Sequence, residues 1–394
     1  MAKLINIKSF QEFLRSGTAG GIILILCVLI SLSIANSGWN TAFNQLLETK
    51  IGYHSTAVHL EYPIILWIND GLMAIFFLLV GLEIKRELVE GELATIKKAS
   101  LPVFAAIGGV IVPALIYFSF NKGTEFEGGW GIPMATDIAF ALAIITLLGN
   151  KVPSSLKIFL AALAIVDDLI AILVIAVFYS SSLEYTYLMY AGLIFILLLL
   201  FNKFGVKNLA FYIIPGLFIW YFIHHSGIHA TIAGVLTAFA LPTTPDATES
   251  PLEKLEHLLV KPVNFIIMPI FALANTNITY EEGMLEGLFT PLGLGIALGL
   301  ILGKPIGITA LSWIAVKLKI SNRPAGAKWK HILGVGMLGG IGFTMSIFIA
   351  LLSFADSPHI LSEAKFSILT GSVFSAMLGS FLLSMSTKEK KRTT

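Results

Sequence analysis

Charge is scarce in this chain. Asp, Glu, Lys and Arg make up 13% of its 394 residues, about half the ~25% usual in soluble domains. That leaves too little polar surface for a soluble enzyme, and no nucleic-acid partner is expected. Cysteine is nearly missing. The single Cys27 lies in an apolar run, so there is neither a disulfide framework nor a CxxC-type metal site. The first long apolar run, 16–36, has no small-residue cleavage site after it and reads as a retained helix rather than a signal peptide. There is also no GlyXGlyAsp segment, the usual mark of an intramembrane aspartyl protease with its two acids on separate helices.

What the chain has is apolar sequence, 56% of all residues. Runs long enough to span the ~30 Å hydrocarbon core, which takes ~20 residues at ~1.5 Å each, recur from end to end. They cover 16–36, 62–82, 99–121, 128–150, 158–183 and 185–202, then 262–280, 287–316, 331–355 and 366–387. The uncharged stretch 208–245 is too long for one crossing. Pro215 and the HHSG at 224–227 split it into two short helices. The expected fold is an all-α polytopic membrane protein, a single transmembrane domain of twelve helices over 1–394. Residues 1–15 should form a short interfacial helix, and 388–394 a polar tail. With twelve helices, 22 of the 26 Lys and Arg fall on one side, which places both termini in the cytoplasm. On the opposite side, 46–60 has rough alternation and a turn-like GYHS, the pattern of a hairpin. An isolated hairpin is marginal in water, so it would need a partner such as a second copy; a loop without regular structure is the other reading of this segment.

Within the spans a few polar residues stand out. Asp167 and Asp168 are the only charges in 158–183. One carboxylate at the bilayer centre costs roughly 2.5–3.5 kcal/mol on insertion scales, and two adjacent ones also repel. A pair kept at that cost points to cation binding, proton movement or both. Asp137 follows Gly131, Pro133 and Thr136 in GIPMATD, where a continuous helix is disfavoured. A second weak place is GGIGFTM, 339–345. Backbone freed by such breaks persists in a membrane only where protein or a cavity satisfies it. The fourth and eleventh helices would then be the interrupted middle members of two triplets running in opposite senses, an inverted repeat. If the two cross, their half-helix ends meet at the midplane. Asp137 would face the positive N-terminal ends, and Lys304, deep in GKPIG, the negative C-terminal ends. Gly295, Gly299 and Gly303 recur every four residues and favour close helix packing.

Six segments together carry a resemblance. GLEIKRE (81–87), PMATDIAFA (133–141), AIVDDL (164–169), SGIHAT (226–231), GKPIG (303–307) and GIGFTMSIF (340–348) resemble, in order and spacing, the NhaA family of bacterial sodium/proton antiporters. That family is itself a standing example of the inverted repeat described above. The resemblance implies crossed, interrupted helices 4 and 11, an inner-membrane location and a homodimer held partly by the outward hairpin. It also implies export of Na⁺ or Li⁺ in exchange for external H⁺, with no cofactor beyond the transported ions. By motif, Asp167 and Asp168 look like the cation- and proton-binding pair, with Asp137 and Thr136 at the helix-four break. Lys304 looks like the family's buried lysine, proposed to pair with the first aspartate. Glu83, Lys85, Arg86, Glu87, Glu256 and His257 resemble a cytoplasmic pH-response cluster, and His229 a histidine that influences it. Two departures fall there. Glu253 stands where a basic residue is expected, and no second histidine follows one turn after His257. The loop before the hairpin is also short.

Na⁺ prefers oxygen ligands, which Asp167, Asp168 and Thr136 can supply. The two carboxyls titrate as a coupled unit, and protons and Na⁺ compete for them. Alternating access by rocking bundles completes exchange. Because the site must lose protons before Na⁺ binds, activity should rise at alkaline pH. A sodium-coupled solute symporter would need a solute pocket that no motif marks. A passive channel would show no proton-dependent counterflow.

Overall fold

The computed structural model describes residues 7–55, 60–149, 152–180, 183–244 and 249–388. Among them nearly all regular structure is helical, and the one sheet is a two-stranded antiparallel ladder. Eight helices are long and apolar enough to cross a bilayer, or up to ten if each of two bent pairs counts as one span. The expected count of twelve goes beyond this. The stretch 208–245 does divide in two, but its helices Ala210–His224 and Ile232–Ala240 have only 15 and 9 residues.

Two expectations are corrected at the edges. A separate interfacial helix before the first span is not seen, because one helix runs unbroken from Ile7 to Ala35. Residues 1–6 lie outside the described residues, as does the tail from 389. The hairpin lies later than 46–60. Residues 46–48 end the helix Asn40–Glu48, and Lys50–Ile51 pairs with Tyr62–Pro63 in the register Lys50↔Pro63, Ile51↔Tyr62. Residues 56–59 between them are outside the described residues.

The contacts divide the chain into two compact units. One comprises Met1–Ile22, Glu90–Val174 and Glu281–Thr394; the other comprises Ile23–Val89 and Ile175–Tyr280. In the first, the helices Ile96–Asn121 and Lys304–Lys317 pack along each other with Gly108 against Gly307. A Cβ on either glycine would collide with the carbonyl of the other. The glycine repeat continues that approach. Gly295 meets Tyr117 and Asn121, Gly299 meets Pro133, and Gly303 meets Pro113. Small residues at helix contacts are the expected device where lipid removes the hydrophobic drive to associate. The second unit is centred on Leu82, Leu198, Tyr212, Ile219, Leu241 and Leu252.

Three spans contain π-helical turns: Trp67–Leu72, Val263–Ile267 and Gly299–Gly303. Such bulges frequently accompany functional sites. The first holds Asp70 and the third ends immediately before Lys304.

Candidate functional site

Two segments of the first unit are interrupted where the sequence is rich in Gly and Pro. Glu127–Met134, with Gly128, Gly129, Gly131 and Pro133, forms a 3-10 helix. Ala135 is extended, and an α-helix starts at Ile138. The helix Trp329–Gly339 stops at Gly339-Gly340, and Phe343–Ser353 resumes at an angle of 47°. A side chain at Gly340 would collide with the carbonyl of Leu300, so only glycine lets the chain turn there.

The breaks are stitched together by hydrogen bonds. The amide of Asp137 donates to the Ile341 carbonyl at 2.6 Å. The Thr136 hydroxyl donates to the Gly339 carbonyl at 2.7 Å. The Ser346 hydroxyl donates to the Ile132 carbonyl at 2.7 Å, and the Phe343 amide donates to the Ser372 hydroxyl at 3.1 Å. Groups orphaned at four helix ends thus find partners inside protein, as they must in lipid.

Asp137 caps two helices at once. Its Oδ1 accepts the Phe140 amide at 3.0 Å, while Oδ2 accepts the Thr344 amide at 3.2 Å and the Thr344 hydroxyl. A carboxylate at helix N-termini is favoured by both hydrogen bonding and the macrodipole. Its expected place at the positive ends is where the structure puts it. Lys304 takes the partner that the resemblance implied, Asp167, and not the helix C-terminus that the half-helix argument gave it. Rather than lying against a helix C-terminus, its Nζ is 2.6 Å from Asp167 Oδ2 and 2.9 Å from Thr136 Oγ1. It reaches the end of Trp329–Gly339 only through the Thr136 hydroxyl, because a carboxylate outcompetes a carbonyl dipole for an ammonium.

Lys304 and Asp167 are both buried, as are Asp168, Asp137, Thr136 and Thr344. Asp168 lies next to Asp167 on the helix Ser154–Phe178, within electrostatic reach of Lys304. Asp167 Oδ1 is buried with no hydrogen-bond partner among the described residues. Two carboxylates, one ammonium and one hydroxyl therefore converge in a protein interior. A charge buried alone there would be expensive. The set can hold a positive charge, and here it holds the Lys304 ammonium.

The second unit divides the remaining expected residues into separate groups. Arg86 Nε bonds both oxygens of Glu256 at 2.9 and 3.1 Å and its Nη1 meets Glu87 at 2.9 Å. Glu83 is buried close enough to interact with both Arg86 and Glu256. Lys85 instead donates to the carbonyls of Phe239 and Leu241 at 2.7 and 2.5 Å, capping the helix Ile232–Ala240. His257 bonds Glu249 at 3.0 Å on the surface. Glu253, the departure from family expectation, closes a capping box with Ser250. It stabilises the helix start that brings Glu256 into place. His229 is not alone. Its Nε2 is 3.4 Å from Asp70 Oδ1, and His224 Nδ1 is 3.1 Å from Asp70 Oδ2. Sequence reading missed Asp70 and His224, along with Thr344. Asp70 was visible as a lone acid in a span, and His224 as half of the doublet His224–His225.

The chain matches the family described as Na+/H+ antiporter 1 over residues 11–383. It is 65% identical to the Na(+)/H(+) antiporter NhaA 2 of Flavobacterium johnsoniae over 99% of this chain and 96% of that protein. It is 53% identical to the NhaA of Flavobacterium psychrophilum, with 95% of each covered, and 50% identical to that of Dechloromonas aromatica, with 96% of each covered. With a match of that length and relatives that similar end to end, the chain belongs to the Na+/H+ antiporter 1 family.

Proposed function

We propose that this protein is a secondary active sodium/proton antiporter of the bacterial inner membrane, a transporter rather than an enzyme. It exports Na⁺ and Li⁺ in exchange for external H⁺. The observation that carries the reading is the Lys304–Asp167 pair beside Asp168, seated where two interrupted helices are joined through Thr136 and Asp137. The relatives named as Na+/H+ antiporters support the ion assignment.

In this reading the two broken helices cross as an inverted repeat, and Asp167, Asp168 and the Thr136 hydroxyl are the oxygens offered to the cation. Na⁺ arriving from the cytoplasm replaces a proton on the carboxyls and the Lys304 ammonium beside Asp167. Protons arriving from outside reverse this. If two protonation sites empty for each Na⁺ that binds, one net charge crosses per cycle. The membrane potential then contributes ~2.3 kcal/mol per charge per 100 mV. Exchange switches on as pH rises, because protons must leave before Na⁺ can bind. The partly buried Glu83–Arg86–Glu87–Glu256 group, with Asp70, His224 and His229, is our candidate for setting that response. Both termini lie in the cytoplasm, and two copies pair through the Lys50–Pro63 hairpin.

The test is Na⁺-dependent collapse of ΔpH in everted vesicles from an antiporter-deficient host. Wild type is compared with Asp167→Asn and Asp168→Asn. Collapse in wild type and in neither variant is the expected result. A folded wild type that ignores Na⁺ at every pH would end the antiport reading. Exchange unaffected by an imposed membrane potential would end the electrogenic one.

A further inference from the structure

Several hydroxyls on or at the ends of the helices bond back to their own backbone. Ser33, Thr49, Thr237 and Ser353 each donate to the carbonyl four residues earlier, at 2.7–2.8 Å. That is the usual local choice for Ser and Thr. Thr344 does otherwise. Its hydroxyl crosses to Asp137 Oδ2, 207 residues away in sequence, and its amide donates to the same oxygen. Asp137 is thereby held from three directions: by Phe140 on its own helix, by Thr344 on the other, and through its backbone amide by Ile341. The residue before it is Thr136. That hydroxyl spends its single proton on the Gly339 carbonyl, so a lone pair is left to face Lys304 Nζ.

We propose that Thr344 is a positioning residue of the exchange site, an inference that rests on the antiport reading above. By tying the Asp137 carboxylate across the two breaks, its hydroxyl fixes the Thr136 oxygen at the distance where it serves first the Lys304 ammonium and then the incoming cation. Thr344 itself touches neither Lys304 nor the cation. Removing its hydroxyl leaves the two amide caps of Asp137 in place, so the fold persists. The carboxylate then gains freedom to turn, and the peptide carrying Thr136 moves with it.

The experiment compares Thr344→Val, which keeps the shape, with Thr344→Ser, which keeps the hydroxyl. Apparent KM for Na⁺ and maximal rate are read in everted vesicles at matched protein abundance. The Na⁺-induced shift in Tm is read on the purified, detergent-solubilised protein. For Thr344→Val we expect KM to rise about tenfold, the change that ~1.4 kcal/mol gives, with the maximal rate within about twofold. The Na⁺-induced Tm shift shrinks accordingly. Thr344→Ser stays close to wild type in all three. A Val variant with wild-type KM overturns the proposal. So does a Ser variant as impaired as Val, since the lost feature would then be the methyl packing. If Val shows no exchange at all, the Tm shift decides: a wild-type shift overturns the proposal and a diminished one supports it. Should wild type itself fail to exchange Na⁺, the antiport reading falls by itself. The Tm shift then separately decides whether Thr344 governs cation binding.

Discussion

Asp167 is answered by Lys304 at 2.6 Å, and that pairing makes the residues unequal in what their loss exposes. Lys304→Met alone strands a buried carboxylate, and should lower stability by about 3–5 kcal/mol. Lys304→Met combined with Asp167→Leu should recover most of it, since a buried pair exchanged for apolar groups is often neutral. Thermal unfolding in detergent reads this, and neither variant should exchange ions. A Lys304→Met protein as stable as wild type would show that the two charges do not compensate one another. A second contrast belongs to the Arg86–Glu256 group. Arg86→Gln should displace the pH midpoint of exchange, because it strips Glu256 of the guanidinium whose Nε is shared by both its oxygens. His257→Gln should leave the midpoint in place, because its ring bonds surface Glu249. Equal midpoints for all three proteins would remove Arg86 from the pH response. Asp167, Asp168, Asp137, Thr136 and Lys304 were legible because a charge or a break in an apolar run is costly and visible in one dimension. Thr344 was not. A hydroxyl costs little in a helix, and its choice between its own backbone and a carboxylate 207 residues away is made by packing.

The elements show the same division. Both interruptions, at Pro133–Asp137 and Gly339–Gly342, could be read from Gly and Pro content. The π-helical turns could not, because a single extra residue in a turn leaves the apolar pattern nearly unchanged. Nor could the helix partnership in which Gly108 and Gly307 meet carbonyl to Cα face. Gly307→Ala should force the helices Ile96–Asn121 and Lys304–Lys317 apart, at about 1–3 kcal/mol as for other overpacked sites. It should also shift Lys304, which lies three residues earlier. Gly192→Ala is the control, since nothing lies near that position on the helix Tyr185–Lys203. A drop in Tm and in exchange for Gly307→Ala, with neither for Gly192→Ala, is the expected outcome. Equal behaviour would deny the contact its importance.

For the whole molecule, hydropathy carried the class of protein from sequence alone, because a bilayer sorts residues by depth. The hairpin was placed a few residues early, since the helix Asn40–Glu48 extends into its first arm. If two copies pair there, a Cys27→Ser protein carrying Ile51→Cys should form a disulfide-linked dimer in membranes under mild oxidation. The exposed Leu193→Cys, on the helix Tyr185–Lys203, should not. Monomer alone from Ile51→Cys would argue against that pairing. The tethered ammonium at Asp167 has one last consequence. An antiporter built this way carries its own competitive inhibitor, covalently attached and always at the same effective concentration. In the antiport reading, a cation entering the site would displace Lys304 rather than fill a void, so its affinity would be measured against an internal standard. A change in the reach or strength of that one side chain would then retune cation affinity without altering any of the oxygens proposed to bind the ion.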